Sequence, residues 1–317
     1  MDDHLLGQTF SLLCAIAWAF ALVLFKRAGE RIPPVALNLF KNCIGLILLV
    51  ATLAVLTVLG IDGFESVRQR PPRDWAILML SGVIGIALAD TILFHALNLI
   101  GVGLFSIVDC AYAPFAVLFA WLLLAEQLTL VHYAGGALIL VGVLIASRHD
   151  PPPGRTRRQI IAGMLLALLA VALMAFGIVI AKPVLKDFPL LWATTVRLLA
   201  GSALLVLFSL ATNGGTRHWG VFRSSVSWKF AVPGAVLGMY VSLILWMAGF
   251  KYTYASIAAV LNQTSVVFSC VLAALVLKET FDARKIMALV LAVVGVVVVT
   301  LADWLQATCG NWLVLQR

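Results

Sequence analysis

The chain has 317 residues, 63% hydrophobic and only 11% charged, with a mean hydropathy of +1.07 and a net charge of +8. Soluble domains carry about 45–50% apolar and about 25% charged residues, so this composition excludes an ordinary soluble enzyme, a disordered chain and a disulfide-rich secreted scaffold. The basic residues are scattered over short loops, as expected of a multi-span membrane protein, and no nucleic-acid partner is expected.

Polar breaks divide the chain into ten apolar stretches, near 7–25, 35–59, 75–100, 102–124, 130–146, 160–181, 190–211, 229–250, 254–277 and 286–302. A membrane helix needs about 20 apolar residues. Met1 to His4 lack the basic region of a signal peptide, so the first stretch is expected to be a retained span. Pro33 and Pro34, Pro71 and Pro72, Gly101 and Gly103, Pro183 and Pro189 mark breaks. Trp75, Trp192, Trp228 and Trp304 fall at predicted span ends, where an amphipathic ring suits the headgroup layer. Helices are expected because a lipid-exposed backbone must satisfy its own hydrogen bonds, and the alternating pattern of a membrane β-barrel is absent. The expected fold class is an all-α integral membrane protein with ten transmembrane helices.

A polar, proline-rich segment at 147–159 separates two halves of five spans, 7–146 and 160–303, and the halves resemble each other. A shift of 156 positions lays Phe20 on Phe176, Lys26 on Lys182, Pro33 on Pro189, Lys41 on Arg197 and Gly45 on Gly201. A shift of 153 lays Asp109 on Asn262, Glu126 on Glu279 and Gly142 on Gly295. Apolar matches are cheap in such a sequence, whereas matched charges, prolines and glycines are not. Because five is odd, the second copy enters the membrane from the opposite side. Inverted repeats of this kind underlie many secondary transporters, with the ligand site near mid-membrane between the halves.

Ionisable groups inside spans are costly and mark function by default. In chain order, the candidates begin with Trp18 in span 1, an aromatic wall or core packing. In span 2, Asn38, Lys41, Asn42 and Gly45 share one helical face; Lys41 and its mate Arg197 in span 7 either meet an anionic group or snorkel to the interface. Span 3 offers Asp90 and His95, and span 4 offers Asp109 and Tyr112. Either aspartate is a proton site or a static ion-pair partner, and His95 a relay or a satisfied core group. Trp246 in span 8 repeats the choice posed by Trp18. In span 9, Asn262, Gln263, Thr264 and Ser265 cannot all face lipid. Glu126, Glu279 and Asp282 are expected to cap helices or pair locally. Cys14, Cys43, Cys110, Cys270 and Cys309 form no C-x-x-C pair and are expected to be small buried hydrophobes. No metal, cofactor or ATP site is expected, since no P-loop or metal motif occurs.

Pro114, the run from Trp121 to Glu126, the run from Gly135 to Gly142, and the partner run from Leu275 to Glu279 with Gly295 resemble the ten-span EamA-like branch of the drug/metabolite transporter superfamily. The resemblance extends over both halves. It departs from many small multidrug relatives, which carry an acidic residue in the first span, and Pro114 is matched by Val267. It implies a carrier in a bacterial inner membrane, with a cavity lined by spans 1–4 and 6–9. Spans 5 and 10 then lie outside, facing lipid or a partner subunit in a homodimer. The mixed acids and bases in the spans favour a small polar or zwitterionic solute, such as an amino acid. A membrane-embedded enzyme and a non-transporting scaffold or sensor are the alternatives. Basic-residue counts place the termini outside and the resemblance places them inside, so import and export both stay open.

Overall fold

The computed structural model describes residues 3–61, 63–124, 130–147, 156–185, 187–211, 220–222, 225–252, 255–279 and 282–309. The chain is all-helical, with no strand among the described residues. In the first half, α1 (Asp3–Gly29), α2 (Pro34–Val58), a short α3 (Phe64–Arg68) and α4 (Pro72–Gly82) lead through a π-helical turn (Val83–Leu88) into α5 (Ala89–Asp109), α6 (Tyr112–Leu124) and α7 (Leu130–Ser147). The second half holds α8 (Arg157–Leu185), α9 (Leu190–Ala211) and α10 (Ser225–Ala235). A second π-helical turn (Val236–Ser242) then leads into α11 (Leu243–Tyr252), α12 (Ala255–Val276) and α13 (Ala283–Cys309). Six helical stretches among the described residues are long and apolar enough to cross a membrane, and Tyr112–Leu124, Tyr133–Gly142 and Leu261–Val276 are shorter apolar pieces.

Local chemistry sets the helix ends. Pro34 and Pro72 occupy first turns, where the missing N–H had no helical partner to lose. At the start of α8, Thr156 Oγ1 accepts from the Gln159 N–H at 3.3 Å and Gln159 Oε1 accepts from the Thr156 N–H at 2.9 Å, a reciprocal capping box. Asp282 accepts from the Lys285 N–H at 2.9 Å and starts α13, as the sequence predicts.

The fourth predicted span differs from expectation. It does not run unbroken over 102–124. Gly101, at φ 77° and ψ 176°, breaks the helical path at the boundary expected between the third and fourth spans, whereas Cys110 and Ala111 interrupt the fourth span itself before α6. An L side chain rarely adopts that positive φ, so glycine allows the first break.

Helices pack across the halves. α1 lies along α12, and α8 lies along α5 and α6. α7 and α13 pack together: a Cβ on Gly142 would lie 2.8 Å from the Ala288 carbonyl oxygen, and one on Gly295 would lie 2.7 Å from that of Gly135. A shift of 153 maps each contact onto the other. The two π turns also match under this shift. Gly45 of α2 closes on Met239 in the second π turn, and Gly201 of α9 closes on Ile86 in the first. Both approaches leave no room for a β-carbon, which is the common reason for small residues between membrane helices.

Candidate functional site

Among the described residues the packing leaves a cavity with about 1010 Å³ of empty volume including its open side. Its polar lining includes Asp90, Asp109, Arg197, Asn262, Gln263 and Ser265, and its aromatic walls are Trp18, Tyr112 and Trp246. These nine residues, all singled out from the sequence, therefore meet in one hollow. Both π turns contribute, through Gly85 and Ile86 and through Gly238, Met239 and Ser242. Such turns widen the helix and are frequent at functional sites.

Lys41 stands behind this wall. Its ammonium donates to Asp90 Oδ2 at 2.6 Å, to Asn42 Oδ1 at 2.9 Å and to Met239 Sδ at 3.0 Å, and lies 5.6 Å from the Phe94 ring centre. Three donors thus meet three acceptors. Asn38 is also behind the wall. Its amide donates to the Ile86 and Ala87 carbonyls at 3.0 and 3.2 Å and to Thr91 Oγ1 at 2.8 Å, tying α2 to carbonyls of the π turn. His95 lies off the cavity on an exposed face. Five helical residues separate it from Asp90, about 140° around the axis, so an inward Asp90 turns His95 outward.

Arg197 is different. It is 5% exposed, its Nη1 reaches Met247 Sδ at 3.6 Å, and its guanidinium lies 5.9 Å from the Trp246 ring centre. Its Nε has no hydrogen-bond partner, and it forms no ion pair with a described residue. Asp109 forms neither a hydrogen bond nor an ion pair with a described residue. It also ends α5, where the helix dipole disfavours a carboxylate. Asn262, its repeat mate, keeps both amide atoms buried without a partner. Three strongly polar groups are thus held unpaired against one hollow, although buried polar groups are normally satisfied. Tyr112 lies within electrostatic reach of both Arg197 and Asp109.

The polar run in α12 divides as helical geometry requires. Asn262, Gln263 and Ser265 face the cavity, while Thr264 donates to its own helix at Leu261 O, 2.5 Å away. Sequence reasoning missed Cys14, Met174, Met239 and Ser242 in the lining. Two of these had a readable signal: Cys14 precedes Trp18 by one turn, and Ser242 precedes Trp246 by one turn. Glu279 does not cap its own neighbour. It accepts from the backbone N–H groups of Val102 and Gly103, both at 2.9 Å, in the other half of the chain. Glu126 lies outside the described residues. Cys14, Cys110 and Cys270 are buried free thiols.

No curated protein matches the chain. A solved structure described only as "Crystal structure of protein" is 20% identical and superposes with a TM-score of 0.68, covering 96% of this chain and 99% of that one. That likeness concerns the fold alone. The EamA-like transporter family matches over residues 5–148 and 161–301, once for each half. With its membrane-length apolar helices, the chain is a multi-pass membrane protein that belongs to the EamA-like transporter family.

Proposed function

We propose that the chain is a ten-span secondary transporter, built as inverted repeats over 7–146 and 160–303 with a linker at 147–159, that moves a small zwitterionic metabolite by alternating access. The repeat-related contacts of α7 with α13, and of α2 and α9 with the π turns, support the inverted pairing. The outer faces of α7 and α13, with exposed Leu140, Leu144, Val290 and Val294, suit lipid or a second copy of the chain. The location proposed with it is a bacterial inner membrane, as the resemblance given above implies.

The single observation that carries the substrate class is a cation and an anion, Arg197 and Asp109, that line one cavity without an ion pair to any described residue. Lys41 and Asp90 neutralise each other. The remaining cation and anion complement the carboxylate and ammonium of an amino acid. Trp18, Tyr112 and Trp246 give an apolar side chain a place to rest, and Trp246 already faces a cation. A buried guanidinium without an ion-paired carboxylate is costly, and a carboxylate supplied by the solute would offset that cost through paired hydrogen bonds.

The test is flux into vesicles containing the purified protein, loaded with labelled amino acids and with matched amines that lack the carboxylate. Arg197→Ala is expected to weaken apparent affinity for the zwitterion by about tenfold or more and to leave the weaker amine flux unchanged. Equal loss for both would refute carboxylate recognition by Arg197.

A further inference from the structure

The break at Gly101 leaves orphan backbone groups, and two other helices fill them. In an unbroken helix the Val102 and Gly103 N–H groups would bond to the Asn98 and Leu99 carbonyls. Here both N–H groups turn to the Glu279 carboxylate at 2.9 Å. The freed carbonyl of Asn98, and that of Leu97 one residue before it, accept from Lys26 Nζ of α1, at 3.4 and 3.0 Å. The next residue of α1, Arg27, donates to the Val276 carbonyl at the end of α12, at 3.0 Å. One polar clasp therefore joins the end of α1, the break in α5 and the end of α12. It crosses the boundary between the halves.

Glu279 is held for this task. It follows Lys278, which has φ 56°, and its own N–H returns to the Ala273 carbonyl at 3.1 Å. On the other side Gly101 has no side chain, and a Cβ there would lie 2.8 Å from Glu279 Oε1.

Between clasp and cavity lies a buried apolar layer. Along α1, one turn leads from Trp18 on the cavity to Leu22, and another to Phe25 and Lys26. Along α5, one turn leads from Asp90 to Phe94, and another to Leu97 and Asn98. Leu22, Phe25, Phe94 and Leu97 are fully buried, and the rings of Phe25 and Phe94 meet edge-on at 5.2 Å. Gly238 lets Phe25 pack against the second π turn, since a Cβ there would lie 2.8 Å from the ring.

We propose that Glu279 is a gating and positioning residue. It latches shut the membrane face at which α1 ends, and it fixes the short helical piece from Val102 that presents Asp109. Passage to that face requires α5 and α12 to part there, and the Glu279 bonds must break for them to do so. The inference rests on the carrier reading above, but its test reads the sidedness of the cavity and needs no solute.

The experiment uses Cys14 as the one cysteine, in a chain carrying Cys43→Ala, Cys110→Ala, Cys270→Ala and Cys309→Ala. Cys14 lines the cavity. A membrane-impermeant maleimide is applied to spheroplasts and to inverted vesicles, and a separate Glu30→Cys control on exposed Glu30 marks the clasp side. The parent chain is expected to label from the side opposite the clasp. Glu279→Gln is expected to raise labelling from the clasp side about tenfold, the size expected from losing one charge-assisted hydrogen bond, with the other side still reactive. If Glu279→Gln fails to insert, Arg27→Gln, which removes the bond to Val276 and the surface pair with Glu30, is read the same way. An unchanged ratio between the two sides in the inserted variant overturns the proposal, as does a parent chain labelled mainly from the clasp side. Failure of the Arg197 test with success here would remove the substrate assignment and leave the gate standing.

Discussion

Lys41 and Arg197 occupy equivalent positions in the two halves, yet their surroundings divide their roles. Lys41 is saturated by Asp90, Asn42 and Met239, so it has no donor left for a solute. Breaking such a buried pair from one side leaves a stranded charge, at a cost of about 3–5 kcal/mol. Lys41→Met is therefore expected to lower stability strongly, and Lys41→Met with Asp90→Leu to recover most of it. Unfolding of the detergent-solubilised proteins checks both. Asp109 makes the opposite case, since no described residue compensates it. Asp109→Asn is expected to abolish pH-driven accumulation in vesicles and to weaken apparent affinity for the zwitterion, while counter-exchange continues at saturating solute; accumulation equal to that of the parent would exclude Asp109 as the proton carrier. These residues were readable from the sequence as rare charges in apolar stretches. What the sequence could not distinguish was which base was paired, because that depends on Asp90 approaching α2 from another span. His95 was a candidate on the same footing as Asp90, and its outward turn follows from the five-residue offset only once Asp90 is seen to line the cavity.

At the scale of elements, glycines decide where helices touch. Gly142 and Gly295 bring α7 and α13 to backbone contact. Gly142→Leu is expected to destabilise the protein by about 1–3 kcal/mol through overpacking, measured as a lower unfolding midpoint. Leu144→Ala, on the exposed outer face, is expected to leave the midpoint nearly unchanged. The helices themselves were legible from apolar run length and from prolines at 34 and 72. The π turns were not, because Val83–Leu88 and Val236–Ser242 are as apolar as the helices around them. Their wider winding is fixed by contacts with other elements, including the Asn38 amide on Ile86 and Ala87. The break at Gly101 was legible as a span boundary. The second break at Cys110 carries no proline or glycine to announce it.

For the whole molecule, the repeated half was the most legible feature, because Lys, Pro, Gly and Glu recur at fixed offsets and the family matches each half separately. How the halves interlock was hidden. A shift of 153 pairs Glu279 with Glu126 by sequence, but nothing in one dimension says that Glu279 reaches back to Val102 and Gly103. That reach has a consequence for biogenesis. Gly103 is synthesised 176 residues before the carboxylate that completes it. At about 5–20 residues per second, the nascent first half waits roughly 10–35 s with that backbone donor unanswered. During this interval the newborn helices depend on lipid headgroups, water or the insertion machinery for shelter, and a ribosome stalled before residue 279 would leave an unfinished polar seam in the bilayer.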